Sequence, residues 1–401
     1  MRVFLNAIII QVLLSLYIYW RGWQALPDKK LIKIPYSAIF IIELAIYFVG
    51  FFTSSSGLLG FEALHDLAWV GTTWMIFAIY MTVLLLIYDL VRYIDKKKKI
   101  LPKSLDLQTR KPKLIYFCSA LLLVIGVMSY GSYRFYNPVV TEMNLTVNKD
   151  ASSLKNLRIV VATDIHAGYL IDKNMISMYV DKIMEQKPDI ILLVGDIIDY
   201  DVRSLYEQRM ETEFLRLKAP YGVYASTGNH EYIQLDEAKD EKILWLSQKA
   251  GFTVLRDTTV MVANSFYLVG REDDKCLIRK PLTEIMQDVD KDKPVIVMNH
   301  EPHRLNEESE AGADIAVYGH THYGQFFPNN TIMAIGSAIY NTGIISEDKK
   351  LRFMYELPFG YKKKDNTHIY VSSGLGLAGP QFRIGTISEI VVLNVTFTRS
   401  N

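Results

Sequence analysis

The sequence predicts a soluble α/β domain carried behind a bundle of four membrane-spanning helices. Three observations predict it. Apolar residues make up 50% of the 401-residue chain and crowd into its first third. From residue 157 onward, short apolar runs alternate with polar helical segments, the texture of strands and helices in turn. Five of those runs stop at a short cluster of Asp, Asn, His and Gly. The expected boundaries are a membrane domain over 1–132, a linker over 133–156 and the α/β domain over 157–401.

A helix crosses a bilayer with roughly 17–25 apolar residues. Residues 3–20, 36–52, 67–88 and 114–132 each qualify as such stretches, and only the second carries a charge, Glu43. The first has no small-residue cleavage site before Trp20 and Arg21, so it reads as an uncleaved anchor rather than a signal peptide. Lys and Arg are retained on the cytoplasmic side. Arg21, Lys29, Lys30 and Lys33 follow the first stretch, and a run from Arg92 through Lys96, Lys97, Lys98, Lys99 and Lys103 to Lys113 follows the third. The loop over 53–66 has Glu62 and Asp66 but no Lys or Arg. The expectation is therefore a multi-pass protein of the cytoplasmic membrane, with its N-terminus and α/β domain outside the cytoplasm. Glu43 is a functional candidate because a charge in lipid is costly. Its alternative is a protonated carboxyl bonded to Gln11 or Thr72.

Composition excludes several classes. A formal net charge of +1 points to no nucleic-acid partner. Two cysteines, Cys118 and Cys276, rule out a disulfide scaffold and a cysteine metal cluster. Oligomeric state is left open.

In the α/β part, residues 157–162, 189–194, 222–226, 294–298 and 313–318 read as strands rich in Val, Ile and Leu. Between the first two, 174–187 places Ile176, Val180, Ile183 and Met184 on one helical face, and Pro188 ends it. A second helix is expected over 236–250, closed by Gly251.

The strand ends carry the chemistry. They read Asp164-Ile165-His166, Gly195-Asp196-Ile197-Ile198-Asp199, Gly228-Asn229-His230-Glu231, Asn299-His300-Glu301 and Gly319-His320-Thr321-His322. Side chains just past strand ends converge on one edge of a sheet. Glycines before Asp196, Asn229 and His320 would permit tight turns. Five of the eight histidines lie in these motifs. A donor set of Asp, Asn and His suits two divalent metal ions, Mn²⁺, Fe or Zn²⁺, rather than a thiolate metal. Two ions roughly 3.5–4 Å apart can hold a hydroxide between them and clamp a phosphoryl group in line. No Ser or Cys nucleophile is then required.

This set resembles the calcineurin-like metallophosphoesterase superfamily from about residue 157 to 395, and within it the membrane-associated bacterial branch. The branch's tail is matched by Gly324-Gln325, Gly374-Leu375-Gly376, Arg383 and Glu389-Ile390. The resemblance implies a four-layer α/β/β/α sandwich. It further implies that Asp164, His166 and His322 bind one metal, that Asn229, His300 and His320 bind the second, and that Asp196 bridges. It casts His230 as the histidine that protonates the leaving oxygen and Asp199 as its carboxylate partner. Glu231 and Glu301 are candidates for orienting ligands. Tyr200 stands where the superfamily's protein phosphatases carry Arg, which argues against a phosphoprotein substrate. Tyr323 stands where the branch usually has Gly.

Three functions follow as expectations. The first is a phosphoesterase acting on a phosphate ester or diphosphate, lipid-linked because the anchor holds the site beside the bilayer, with 355–364 as a segment that touches headgroups. The second is a phosphodiesterase for soluble nucleotides or phosphosugars, tethered by the membrane part. The third is a membrane sensor or transporter with a ligand-binding domain.

Overall fold

A computed structural model describes residues 2–53, 59–102, 105–200, 202–232, 236–345, 351 and 354–398. Lys103, counted in the third loop, and part of the loop over 53–66 lie outside the described residues. The chain forms two compact units, one of residues 1–132 with 379–381, the other of 133–378 with 382–401.

The first unit contains helices α1 (Arg2–Ala25), α2 (Lys30–Thr53), α3 (Phe61–Lys98) and the greater part of α4 (Arg110–Tyr136). Among the described residues, three helices are long and apolar enough to cross a membrane: Lys30–Gly50, Phe61–Lys98 and Arg110–Tyr136. Three of the four expected spans are thus found among the described residues, and the side chains of part of the first, 3–20, lie outside them. The first stretch lies in α1, which buries Gln11, Ser15 and Arg21. Ser15 and Arg21 face α3. Arg21 pairs with Asp89, which also accepts a hydrogen bond from Tyr17 at 2.7 Å, and the Trp74 indole donates to Ser15 at 3.0 Å. Glu43 and Gln11 are both buried. Thr72, the other expected partner of Glu43, instead donates to the Ala68 carbonyl of its own helix at 2.7 Å.

The second unit holds two six-stranded sheets. In chain order the strands are β1 (Val139–Val147), β2 (Asn156–Ala162), β3 (Ile190–Val194), β4 (Val223–Ser226), β5 (Thr253–Val254), β6 (Thr258–Val262), β7 (Phe266–Gly270), β8 (Val295–Met298), β9 (Ile315–Tyr318), β10 (Gly360–Lys364), β11 (Thr367–Val371) and β12 (Glu389–Phe397). The helices are α5 (Lys173–Glu185), α6 (Arg203–Gln208), α7 (Glu211–Phe214), α8 (Asp236–Leu244), α9 (Leu282–Ile285), α10 (Leu305–Ala311) and α11 (Asn329–Tyr340). The five expected strands are β2, β3, β4, β8 and β9, each within two residues of the expected bounds. The segment read as a linker contains β1, which lies parallel to β12 at the edge of the first sheet, in the order β1-β12-β2-β3-β4-β5.

Strand alternation builds the layers, because successive side chains point to opposite faces. Ile159, Val161, Leu192 and Val194 of the first sheet pack with Leu268, Ile296, Met298 and Val317 of the second. The opposite face of the first sheet, with Val160, Ile191 and Leu193, packs under Ile176, Val180 and Ile183 of α5. Val297, Ala316 and Ile369 of the second sheet pack with Leu282 of α9 and Leu305 of α10. The result is the α/β/β/α order. Strands β2, β3 and β4 run parallel, as do β7, β8 and β9, so the chain leaves each group of three at one end.

Candidate metal centre

All five motifs follow strands of these parallel groups: those after β2, β3 and β4 on the first sheet, those after β8 and β9 on the second. Their side chains meet. Asp164, His166 and His322 form one group of donor atoms, and Asp196, His300 and His320 a second, each within 4.8 Å. The Nε2 atoms of His166 and His322 are 3.2 Å apart, and Asp164 Oδ1 is 3.4 Å from His322 Nε2. Asn229 Oδ1 joins the second group 2.7 Å from His320 Nδ1. Asp196 Oδ2 lies between the groups, 3.8 Å from His166 Nε2 and 3.2 Å from His300 Nε2.

Backbone geometry is bent to achieve this. Asp164, His166, Asp196, His320 and His322 all have φ between +47° and +68°. Left-handed backbone is unfavourable for residues with a Cβ, and such outliers persist where the surroundings enforce them, often at functional sites. The glycines act in two ways. Gly195 has φ +72° and supplies a turn. At Gly228 and Gly319 the requirement is space: a Cβ would come 2.3 Å from Asp196 Oδ1 and 2.3 Å from Asp164 Oδ2 respectively.

The donor set fits a cation. The Val194 carbonyl only accepts, so His300 Nδ1 donates to it at 2.9 Å and Nε2 is left for the site. His300 Nε2 is buried with no hydrogen-bond partner among the described residues. Burial works against the charge of Asp196, but His300, His166 and His230 outweigh it and hold its carboxyl well below the usual range. Burial also pushes the His322 imidazole down to about 3, against the pull of Asp164. That leaves it neutral, the form that ligates metal. Asp196 and Asp164 draw positive charge toward His300, whose pKa is raised well above the usual value despite burial. Buried carboxylates that attract cationic charge are the electrostatic mark of a cation site.

Beside the donors stands a second arrangement. Asp199 Oδ1 is 2.9 Å from His230 Nδ1 and 3.5 Å from His166 Nδ1, so one carboxylate faces two imidazoles. Burial opposes a charged His230, but Asp199 and Asp196 outweigh it and raise its pKa. The His230 main-chain N–H donates to Asp196 Oδ1 at 2.7 Å. The Tyr200 ring lies 5.6 Å from the His230 ring, and Tyr323 stacks on Phe359 at 4.9 Å. Tyr323 has φ +46°, a left-handed backbone that glycine adopts without strain.

Several supporting residues were not assigned a firm role from sequence. Glu231 is fully buried and accepts from four main-chain N–H groups: Asp196 at 2.9 Å, Ile197 at 2.9 Å, Ile198 at 3.0 Å and Gly228 at 2.7 Å. Lys242 of α8 is buried and donates to the carbonyls of Asp199 at 3.0 Å and His230 at 2.6 Å. Arg383 donates to the carbonyls of His322, Gly374 and Gly376, which ties the C-terminal tail to a donor loop. Glu301 lies 2.9 Å from His303 Nε2 and 3.9 Å from His320 Nδ1. The one sequence signal for Glu231 is its place directly after Asn229-His230.

Comparison with known proteins sets the chain among metallophosphoesterases. The profile of the calcineurin-like phosphoesterases matches residues 157–324. An uncharacterized metallophosphoesterase of Aquifex aeolicus is 30% identical over 60% of this chain and 85% of its own. A Caenorhabditis elegans chain provisionally named a metallophosphoesterase is 26% identical over 79% of this chain. A Danio rerio protein named a transmembrane protein with metallophosphoesterase domain is 28% identical over 70% of this chain. The match spans less than two thirds of the last two relatives, 65% and 62% of their lengths.

Proposed function

The chain belongs to the calcineurin-like phosphoesterase family, whose members use divalent metals, and from that membership we propose that it is a dinuclear phosphohydrolase of a membrane. Asp196 carries this reading, because one carboxylate oxygen stands between two histidine-bearing donor groups. Asp164, His166 and His322 would hold one ion, Asn229, His300 and His320 the other, and Asp196 both. When bound, two such ions supply a water nucleophile and neutralise phosphoryl oxygens. Oxygen and nitrogen donors without sulfur suit Mn²⁺, Fe or Zn²⁺. His230, turned by Asp199 at its Nδ1, keeps a proton for the leaving oxygen. Lys242 and Glu231 fix the loops that carry these groups.

The membrane spans support a lipid-linked phosphate ester or diphosphate as substrate, since they tether the domain to a lipid surface. The test uses the full chain purified in detergent and stripped of metal with a chelator. Hydrolysis is expected to vanish on stripping and to return with Mn²⁺. Failure to cleave any ester with Mn²⁺, Fe²⁺ or Zn²⁺ overturns the enzyme reading. Equal rates on lipid-linked and soluble nucleotide esters overturn the lipid part alone.

Loop charges support an extracytoplasmic domain. The basic run before α4 supports this by itself, whether or not α1 spans. A protease that cannot cross the membrane is expected to remove a C-terminal tag from intact cells. Protection of that tag until the cells are lysed reverses the assignment.

A further inference from the structure

The second unit shows apolar surface where a soluble domain would be polar. On α11, Ile332, Ile335 and Ile339 are 44%, 55% and 39% exposed, at spacings of three and four residues that place them on one face. Met333 and Gly336 are buried and hold the helix to the domain. Phe327 before the helix and Ile344 after it are 54% and 83% exposed. Residues 326–346 contain no charged side chain. A second apolar element is the turn at Leu277 and Ile278, 102% and 84% exposed. Exposed Lys275 and Lys280 flank it.

Topology sends the two off the same end of one sheet. The Leu277–Ile278 turn follows β7, His300 follows β8, and His320, His322 and then α11 follow β9. These three strands are parallel, so all these segments leave the same end of one sheet. Each apolar element is also tied to a donor loop. Arg279 donates to Asn299 Oδ1 at 3.0 Å, next to His300, and α11 starts seven residues after His322.

We propose that the exposed face of α11 and the Leu277–Ile278 turn form a lipid-docking surface that seats this end of the domain on the bilayer. Contiguous exposed apolar side chains mark interaction sites, and a helix with one apolar face lies in the interfacial layer of a membrane. Lipid is the occupant because the chain carries its own membrane spans and only Asn137 and Pro138 separate α4 from β1. The domain is thus never far from a bilayer. Lys275 can reach headgroup phosphates while the aliphatic tips sit among acyl chains, and Lys280 can join it by leaving its exposed partner Glu284 at 3.5 Å. The segment 355–364, expected from sequence to touch headgroups, is less suited. Lys362 and Lys364 are both paired with Glu356, at 2.7 Å and 2.9 Å, and Phe359 lies against Tyr323. The docking surface serves any ester that reaches the site, so it stands independently of the substrate.

The test places single nitroxide labels on the full chain in liposomes of phosphatidylcholine and phosphatidylglycerol. Cys118→Ser and Cys276→Ala remove the native thiols, and Ile335→Cys, Ile339→Cys, Ile278→Cys and the exposed control Glu207→Cys carry the label in turn. At 335, 339 and 278, collision with dissolved oxygen is expected to exceed collision with a water-soluble nickel chelate several-fold, and the order to reverse at 207. Nickel accessibility at 335 and 339 equal to that at 207 overturns the proposal. So does spin–spin coupling between labels of two molecules at 335, which would identify a second copy as the cover. Catalysis is not read, so either outcome is independent of the enzyme reading.

Discussion

Replacing His230 by alanine lowers kcat by roughly 10²–10⁴-fold for an alkyl phosphate, the range removed with a general acid. An alkoxide leaves poorly without a proton, whereas a nitrophenolate leaves readily without one. The loss is therefore expected to be much smaller for a nitrophenyl ester. The same difference separates acid catalysis from simple damage to the site. Alanine retains the main-chain N–H that donates to Asp196 at 2.7 Å, so the Asp196 carboxylate keeps that anchor. Metal content measured by atomic absorption should stay unchanged. Asp199→Asn should follow the same leaving-group pattern with a smaller loss, because it weakens the hold on His230 without removing the imidazole. Equal losses on alkyl and aryl esters would show that His230 has no acid role.

Glu231→Gln is expected to destabilise the catalytic domain by about 2–4 kcal/mol, the scale of opposing buried donors without an acceptor. Each oxygen of Glu231 accepts from two main-chain N–H groups. Glutamine turns one of those oxygens into an NH₂ group facing two more donors. Burial and Asp196 push the Glu231 pKa up while the amides pull it down. All four partners donate, so a carboxyl proton would displace one of them, and the site needs the ionised form. The check is thermal unfolding of the full chain in detergent, followed by domain fluorescence. Metal affinity should fall along with stability, by roughly 10–100-fold, since the clamped loop carries Asp196. A midpoint equal to that of the unsubstituted protein removes the clamp.

The donor motifs were legible because each is contiguous and follows an apolar run that can only be a buried strand. Asp164, Asp196 and His300 could be named without coordinates. Glu231 could be noticed but not understood, because its partners Asp196, Ile197 and Ile198 lie more than thirty residues upstream. Lys242 gave no signal, since a lysine on a polar helix ordinarily faces solvent. The left-handed backbone at Asp164 and His322 was equally hidden: it arises from the surrounding packing, and no local propensity encodes it. β1 was mistaken for a linker because Val139–Val147 includes Thr141, Glu142 and Asn144 and forms a half-exposed edge. Three spans are evident from hydropathy alone. The contacts that Ser15 and Arg21 make with α3 could not be foreseen, because a hydropathy window does not weigh them.

The position of β12 between β1 and β2 has a consequence for how the protein is made. β1 emerges from synthesis directly behind the last membrane helix, yet its partner comes about 250 residues later. Until then the first sheet has a gap where β12 belongs, and β1 has nothing to pair with. Such distant pairings form slowly, because a long loop must close before any contact rewards it. The membrane helices can therefore be settled in the bilayer while the catalytic domain is still an unclosed chain, and the strand that completes its sheet acts as a keystone set last.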